Sequence, residues 1–130
     1  MTCFGCLMRT HTLAAVLTLS LLLHSSGAVA DGNALLKACT ASVATFDSDG
    51  ALGSDYQSGY CLGIINGVSS LSVLLNGAIS KSKQYCLPEP MTNIQAARIV
   101  VKYLNDNPNI LHHPEGYAVI GAFQSAFPCK

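Results

Sequence analysis

Ser54-Asp55-Tyr56-Gln57-Ser58-Gly59-Tyr60-Cys61-Leu62-Gly63-Ile64-Ile65-Asn66-Gly67-Val68, running on through Ser69 to Ile79, is the stretch that decides the fold. Ser54 with Gln57 three residues later forms a capping box, in which each side chain serves a backbone group left free by the first helical turn. Tyr60, Ile64, Val68, Leu71 and Leu75 then recur at helical spacing, as on a face turned towards a core. The spacing predicts one helix from Ser54 to about Ile79. Gly59, Gly63 and Gly67 form a second stripe. Each glycine costs up to ~1 kcal/mol relative to alanine inside a helix. Three on one face therefore predict a second backbone lying close, read first as a helix crossing within the chain and alternatively as a contact between two copies.

Working outward, a shorter helix is expected from Ala34 to Thr40, with Asn33 as N-cap and Leu35, Leu36 and Cys39 facing inward. Phe46 to Gly53 is rich in turn formers and connects it to the long helix. On the other side, Pro88 and Pro90 forbid helix. Thr92 with Gln95 is a second capping box. It opens a third helix with Ile94, Ala97, Val101 and Leu104 on one face, widened by Val100 and Tyr103. Asn105-Asp106-Asn107-Pro108 stops that helix. Pro114 suits the first position of a fourth, which buries Val119, Ile120, Phe123 and Phe127. No stretch sustains strand alternation. The expected class is all-α, a small four-helix bundle.

The N-terminal region reads differently. Arg9 is the one charged residue before an apolar run from Leu13 to Leu23, followed by Ser25-Ser26-Gly27 and Ala28-Val29-Ala30. Basic start, short apolar middle and small-x-small end are the marks of a secretory signal peptide. Eleven helical residues rise only about 16 Å, short of the roughly 30 Å hydrocarbon layer that an anchor must cross. Cleavage after Ala30 is expected, with residues 1–30 as signal peptide and 31–130 as the working domain, outside the cytoplasm and not in a membrane.

The working domain keeps Cys39, Cys61, Cys86 and Cys129. An even count in an exported chain points to disulfides. Zinc is the competitor, but no pair has the close spacing of a metal knuckle. Four cysteines allow three connectivities. The third and fourth helices, of similar length and joined by a short loop, should form an antiparallel hairpin. That puts Cys129 near Cys86 and leaves Cys39 to pair with Cys61.

Chemistry is hard to find in what remains. Six Lys and Arg face seven Asp and Glu after residue 30, so no basic stripe exists for a nucleic acid. His112 and His113 are adjacent in a loop with no carboxylate or thiol at ligand spacing, and read as solvated loop residues or, for His113, an N-cap. The acids Asp47, Asp49, Asp55, Glu89, Asp106 and Glu115 all fall in expected loops or caps. Asp47-Ser48-Asp49-Gly50 has part of a calcium-loop pattern, but no glutamate follows at the required distance. A Cys-His nucleophile is denied by paired thiols. No enzyme, metal or cofactor is expected.

Tyr60-Cys61-Leu62-Gly63-Ile64-Ile65-Asn66-Gly67-Val68, Cys86-Leu87-Pro88, Val100-Val101-Lys102-Tyr103-Leu104 and Ala126-Phe127-Pro128-Cys129, in that order, resemble the Rap/Tai family of type VI secretion immunity proteins. The likeness spans about Leu36 to Cys129. It implies a small, periplasmic, all-helical protein, often a homodimer, that binds a peptidoglycan amidase effector and plugs its active-site cleft. The surface for this is expected in the loop from Asn105 to Glu115, with Asn107, Asn109, Ile110, Leu111, His112 and His113 as the partner-binding set. Ile110 and Leu111 could anchor a partner or fold inward to staple the hairpin. The loop departs from the family in reading Asn107-Pro108-Asn109, where His-Pro-Glu is more usual. An acid-stress chaperone of the HdeA type, also small, helical and disulfide-stapled, is the alternative.

Overall fold

The computed structural model describes residues 31–130; the signal peptide and its cleavage site lie outside them. Five α-helices follow one another: α1 (Gly32–Asp47), α2 (Asp55–Ser70), α3 (Ser72–Ala78), α4 (Asn93–Asp106) and α5 (Glu115–Ala126). Single 3-10 turns stand at Lys81–Lys83 and Pro108–Ile110. Among the described residues the only strand-like features are two isolated bridges, Asp31 with Pro114 and Tyr85 with Pro128. The class is all-α, as expected. No single described helix is long and apolar enough to cross a membrane.

One core holds the helices. Leu35, Ala38 and Cys39 of α1 meet Cys61 and Ile65 of α2, Ala96, Ala97, Val100 and Leu104 of α4, and Ala118, Val119, Ala122 and Phe123 of α5, all buried. Alanines at so many of these positions let helix axes approach closely before side chains collide. Tyr85, from the segment before α4, completes the cluster and packs its ring 5.7 Å from that of Phe123.

Both disulfides take the expected pairing. Cys39–Cys61 joins α1 to α2 across a Cα separation of 5.0 Å, and Cys86–Cys129 ties the end of the fold to the segment before α4 at 5.1 Å. Sequence separations of 22 and 43 residues correspond to about 3.4 and 4 kcal/mol in the chain-entropy model. The second bridge is reinforced by backbone. The Cys86 N–H donates to Phe127 O at 2.8 Å, and the Cys129 N–H to Gln84 O at 3.3 Å.

Several expectations need correction. The helix foreseen from Ser54 to Ile79 breaks at Leu71, and α2 and α3 meet at a bend of 50°. Ser69, Ser70 and Ser72 surround the break, where hydroxyls compete for backbone bonds. The Asn76 side chain supplies the pull: its Nδ2 donates to Tyr85 O at 2.7 Å and its Oδ1 accepts from Tyr85 N at 3.2 Å. The inward stripe of α2 is also one residue out of register. Cys61 and Ile65 are buried, whereas Tyr60, Ile64 and Val68 lie at the core's edge and Leu71 is 51% exposed. The Cys39 disulfide rolls the helix so that Cys61 points in.

Most plainly, no backbone of the described residues crosses the glycine stripe: a Cβ built on Gly59, Gly63 or Gly67 meets nothing within 4 Å. The expected helix crossing is therefore absent among those residues. At the capping sites, Thr92 and Gln95 form the full box, but at Ser54 only the serine half forms, accepting from Gln57 N. α1 begins at Gly32 and is capped by Asp31 rather than Asn33, and it continues to Asp47 rather than Thr40. A carboxylate at the N-cap also suits the positive end of the helix dipole. The extra turns bury Ser42 and bring Asp47 to an ion pair with Arg98, so tertiary contacts override the weak helix propensity of Thr40 to Thr45. Finally, Pro114 is the N-cap of α5, not its first residue, and His113 precedes it.

Candidate functional site

The loop between α4 and α5 is polar in sequence yet fixed in place. Asn107 stops α4, and its Nδ2 donates to Tyr103 O at 2.8 Å. Pro108 starts a short 3-10 turn, closed when the Leu111 N–H donates to Pro108 O and the His113 N–H to Ile110 O, the latter at 2.9 Å. The start of α1 then grips the loop from outside. Gly32 N–H donates to His113 O at 3.0 Å, while Asn33 gives both its backbone N–H and its Nδ2 to Leu111 O at 3.1 Å. A Cβ on Gly32 would stand 2.9 Å from Leu111 O and 3.0 Å from Leu111 Cα. Only glycine lets the two backbones come this close.

The partner-binding set sorts into two groups. Ile110 and Leu111 are half-buried and pack against the core, and Asn107 is engaged as a cap. Asn109 and His112 are exposed, with Pro108 and Pro114 beside them. The rings of His112 and His113 lie 4.3 Å apart, and that of Tyr117, on the first turns of α5, lies 4.8 Å from His113. Tyr117 is 55% exposed. Together these three rings make a row of flat, amphipathic surfaces carrying hydrogen-bonding nitrogens and a hydroxyl. Sequence reasoning missed Tyr117 because it sits inside the expected fourth helix, three residues beyond a proline; its place four residues, about one turn, from His113 was the available signal.

Beneath the row is a buried acid. Glu115 is 8% exposed and accepts a hydrogen bond from the Tyr60 hydroxyl, which reaches across from α2. Burial pushes its carboxyl above the ordinary glutamate range, and the nearby Asp31 carboxylate adds to the push. Asp31 is displaced the other way. The Ala34 N–H bonded to its side chain holds it below the usual aspartate range, helped by Asn33 and by the charge of His112.

A second concavity, a cleft of about 540 Å³, lies between α2–α3 and the segment from Tyr85 to Ala96. Asn66, Ser69, Ser72, Asn76, Glu89 and Asn93 supply its polar lining. Glu89 is the only acid there, and no base faces it. The Tyr85 hydroxyl, pushed up by burial, is held in the core without a hydrogen-bond partner among the described residues. Neither region brings a nucleophile to a base. All four cysteines of the described residues are in disulfides, and no group of three metal-ligating side chains occurs among those residues.

The described residues thus form a helical frame stapled twice that presents a polar loop held by the start of α1. A family model described as Rap1a immunity proteins matches residues 31–129, and the chain belongs to that family. Membership implies an immunity protein that binds a cognate effector protein of a type VI system, and a non-enzymatic inhibitor. No curated protein and no solved structure gives a significant match.

Proposed function

We propose that the protein works in the periplasm, where it binds a peptidoglycan amidase effector of the type VI secretion system and blocks its active site with the loop from Pro108 to Pro114. One observation carries this reading: the loop's backbone is locked by α1 while Asn109, His112 and Tyr117 are exposed and the half-buried His113 lies between the last two. A projecting surface already held in its bound shape loses little entropy on association. Ile110 and Leu111 pack against the core with part of their surface open, so they hold the loop down from within the proposed contact surface. The match over residues 31–129 leaves the acid-stress chaperone reading without support.

Self-association belongs to the same proposal. From Tyr56 to Ser80 the chain carries no charged residue. Its outer side combines the open glycines with Tyr56, Leu71, Val73 and Leu74, all exposed. A face without charge can meet its own copy across a two-fold axis without like-charge repulsion. The occupant of this face is a second copy of the chain.

The test uses the processed protein and the amidase encoded beside its gene. Calorimetry should give a stoichiometric complex, and peptidoglycan hydrolysis should stop at one inhibitor per enzyme. Asn109→Ala with His112→Ala should weaken binding by at least about tenfold, as loss of a central contact does. A wild-type protein that neither binds nor inhibits sinks the reading. Sedimentation of Gly63→Arg decides the dimer: it should be monomeric where the parent is not.

A further inference from the structure

The two disulfides differ in their surroundings. Cys39 and Cys61 are both at 0% exposure. Cys86 is exposed and Cys129 is half-buried. Cys86 also forms part of the wall of the open cleft between α2–α3 and the segment from Tyr85 to Ala96. Thiol–disulfide exchange requires a thiolate to reach a sulfur of the bridge, so access governs which bond is labile. One bridge is closed to attack, and the other faces an entrance.

The accessible bridge also stands at the head of a line of contacts. Beside it, the Cys86 N–H donates to Phe127 O and the Cys129 N–H to Gln84 O. One residue back, Tyr85 donates its N–H to Asn76 Oδ1 at 3.2 Å and accepts from Asn76 Nδ2 at 2.7 Å. Gln84 Nε2 donates to Asn76 O at 2.7 Å. These bonds matter to α3 because no side chain of that helix belongs to the core or packs against it. The 108–114 loop depends on none of them. It is held by Gly32 and Asn33 of α1, and Cys39–Cys61 ties α1 to α2.

We propose that Cys86–Cys129 is a thiol–disulfide exchange site for a protein dithiol of the thioredoxin type, and that opening it loosens α3 while Cys39–Cys61 and the 108–114 loop stay intact. A thiolate of the reductant attacks Cys86 Sγ. The bond to Cys129 breaks, Cys129 leaves as a thiolate and takes up a proton, and a mixed disulfide forms on Cys86. The reductant's second thiol gives up its proton and attacks its partner sulfur in the mixed disulfide. Cys86 leaves as a thiolate and is protonated, and the reductant ends as an internal disulfide. Two electrons have then passed from the reductant to the bridge. A dithiol suits this site because it resolves the mixed disulfide itself, and a cleft of about 540 Å³ has room for residues flanking the attacking cysteine.

The inference goes beyond the inhibitor reading and needs no effector to test. The oxidised protein is treated under native conditions with reduced thioredoxin, quenched with iodoacetamide and mapped by mass spectrometry. Cys86 and Cys129 should be labelled at least about a hundredfold sooner than Cys39 and Cys61, which react only when the core opens. Thioredoxin lacking its resolving cysteine should be trapped on Cys86. In the reduced protein the amides of Tyr85 and Ile79 should exchange about tenfold faster, while that of His113 should not change. Cys86→Ser with Cys129→Ser should reproduce that pattern; if this variant does not fold, the reduced parent decides alone. Both bridges opening together, Cys39–Cys61 opening first, a trap on Cys129, or no reaction before unfolding overturns the exchange site. Selective opening with unchanged exchange at Tyr85 and Ile79 overturns the control of α3. Neither result touches the inhibitor reading, which requires no free thiol.

Discussion

The 108–114 loop and helix α3 reverse the usual association of polarity with mobility and of apolar character with burial. Asn, His and Pro dominate the loop, yet three backbone or amide donors from α1 hold it and Ile110 and Leu111 pin it to the core. α3 carries no charge and is mostly apolar, yet Val73 and Leu74 are 80% and 71% exposed and no residue of the helix is buried. Backbone partners, not side-chain polarity, set the difference. A main-chain group must find a donor or acceptor somewhere, and the loop finds its own in the start of α1.

Both regions hang from the same stapled frame, so the largest effect should come from the frame. Removing the buried bridge with Cys39→Ala and Cys61→Ala should cost about 3–5 kcal/mol in urea unfolding, from lost chain constraint and lost packing together. The pair Cys86→Ala and Cys129→Ala closes the longer loop but touches the core less, and should cost less than the first pair. The opposite order would make chain entropy the ruling effect.

A sharper contrast comes from glycine. Gly32→Val forces a side chain into the Leu111 backbone and should cost about 2–3 kcal/mol, comparable to overpacking a core. Gly63→Ala meets only open space and should stabilise the monomer by about 0.5–1 kcal/mol. If Gly63→Ala destabilises instead, the α2 face is covered in solution, and sedimentation will show by what.

Tyr60→Phe removes the hydroxyl that serves Glu115 and should cost about 1–2 kcal/mol. The same corner governs pH dependence. Because Glu115 sits above its ordinary range when folded, its ionisation works against the fold. Its effect is absent below the normal glutamate range and grows as pH rises through the raised value. Glu115→Gln should flatten that fall in a series of thermal melts. Asp31 behaves oppositely, since it is held below its ordinary range when folded. The stability it lends is present above the usual aspartate range and disappears as pH drops through its lowered value.

The smallest change expected is at Lys102, whose exposed pair with Asp106 spans one helical turn. Lys102→Ala should shift stability by no more than about 0.5 kcal/mol.

How much of this could be read in advance follows from which forces act locally. The capping box at Thr92, the prolines before α4 and the hairpin that pairs Cys86 with Cys129 are short-range or topological, and all were legible. The bend at Leu71 was not, because its cause is a long-range bond from Asn76 to Tyr85. Nor was the roll of α2: Tyr60 and Cys61 are adjacent, and only the disulfide decides which one faces in. The glycine stripe promised a neighbour, and the described residues supply none there. At the candidate site, the loop's position was legible from its composition, while its rigidity was hidden in Gly32 and Asn33, far away in sequence.

Asn76 has a consequence of its own. With one oxygen and one NH₂ it imitates the edge of a neighbouring peptide, answering both main-chain groups of Tyr85 at once. Asn76→Asp keeps the acceptor and loses the donor, and Asn76→Leu keeps the shape and loses both. α3 is thus fastened like a shutter at one end, with the Gln84 side chain as a second hook on Asn76 O at 2.7 Å, and an isostere of the wrong polarity at Asn76 loosens it.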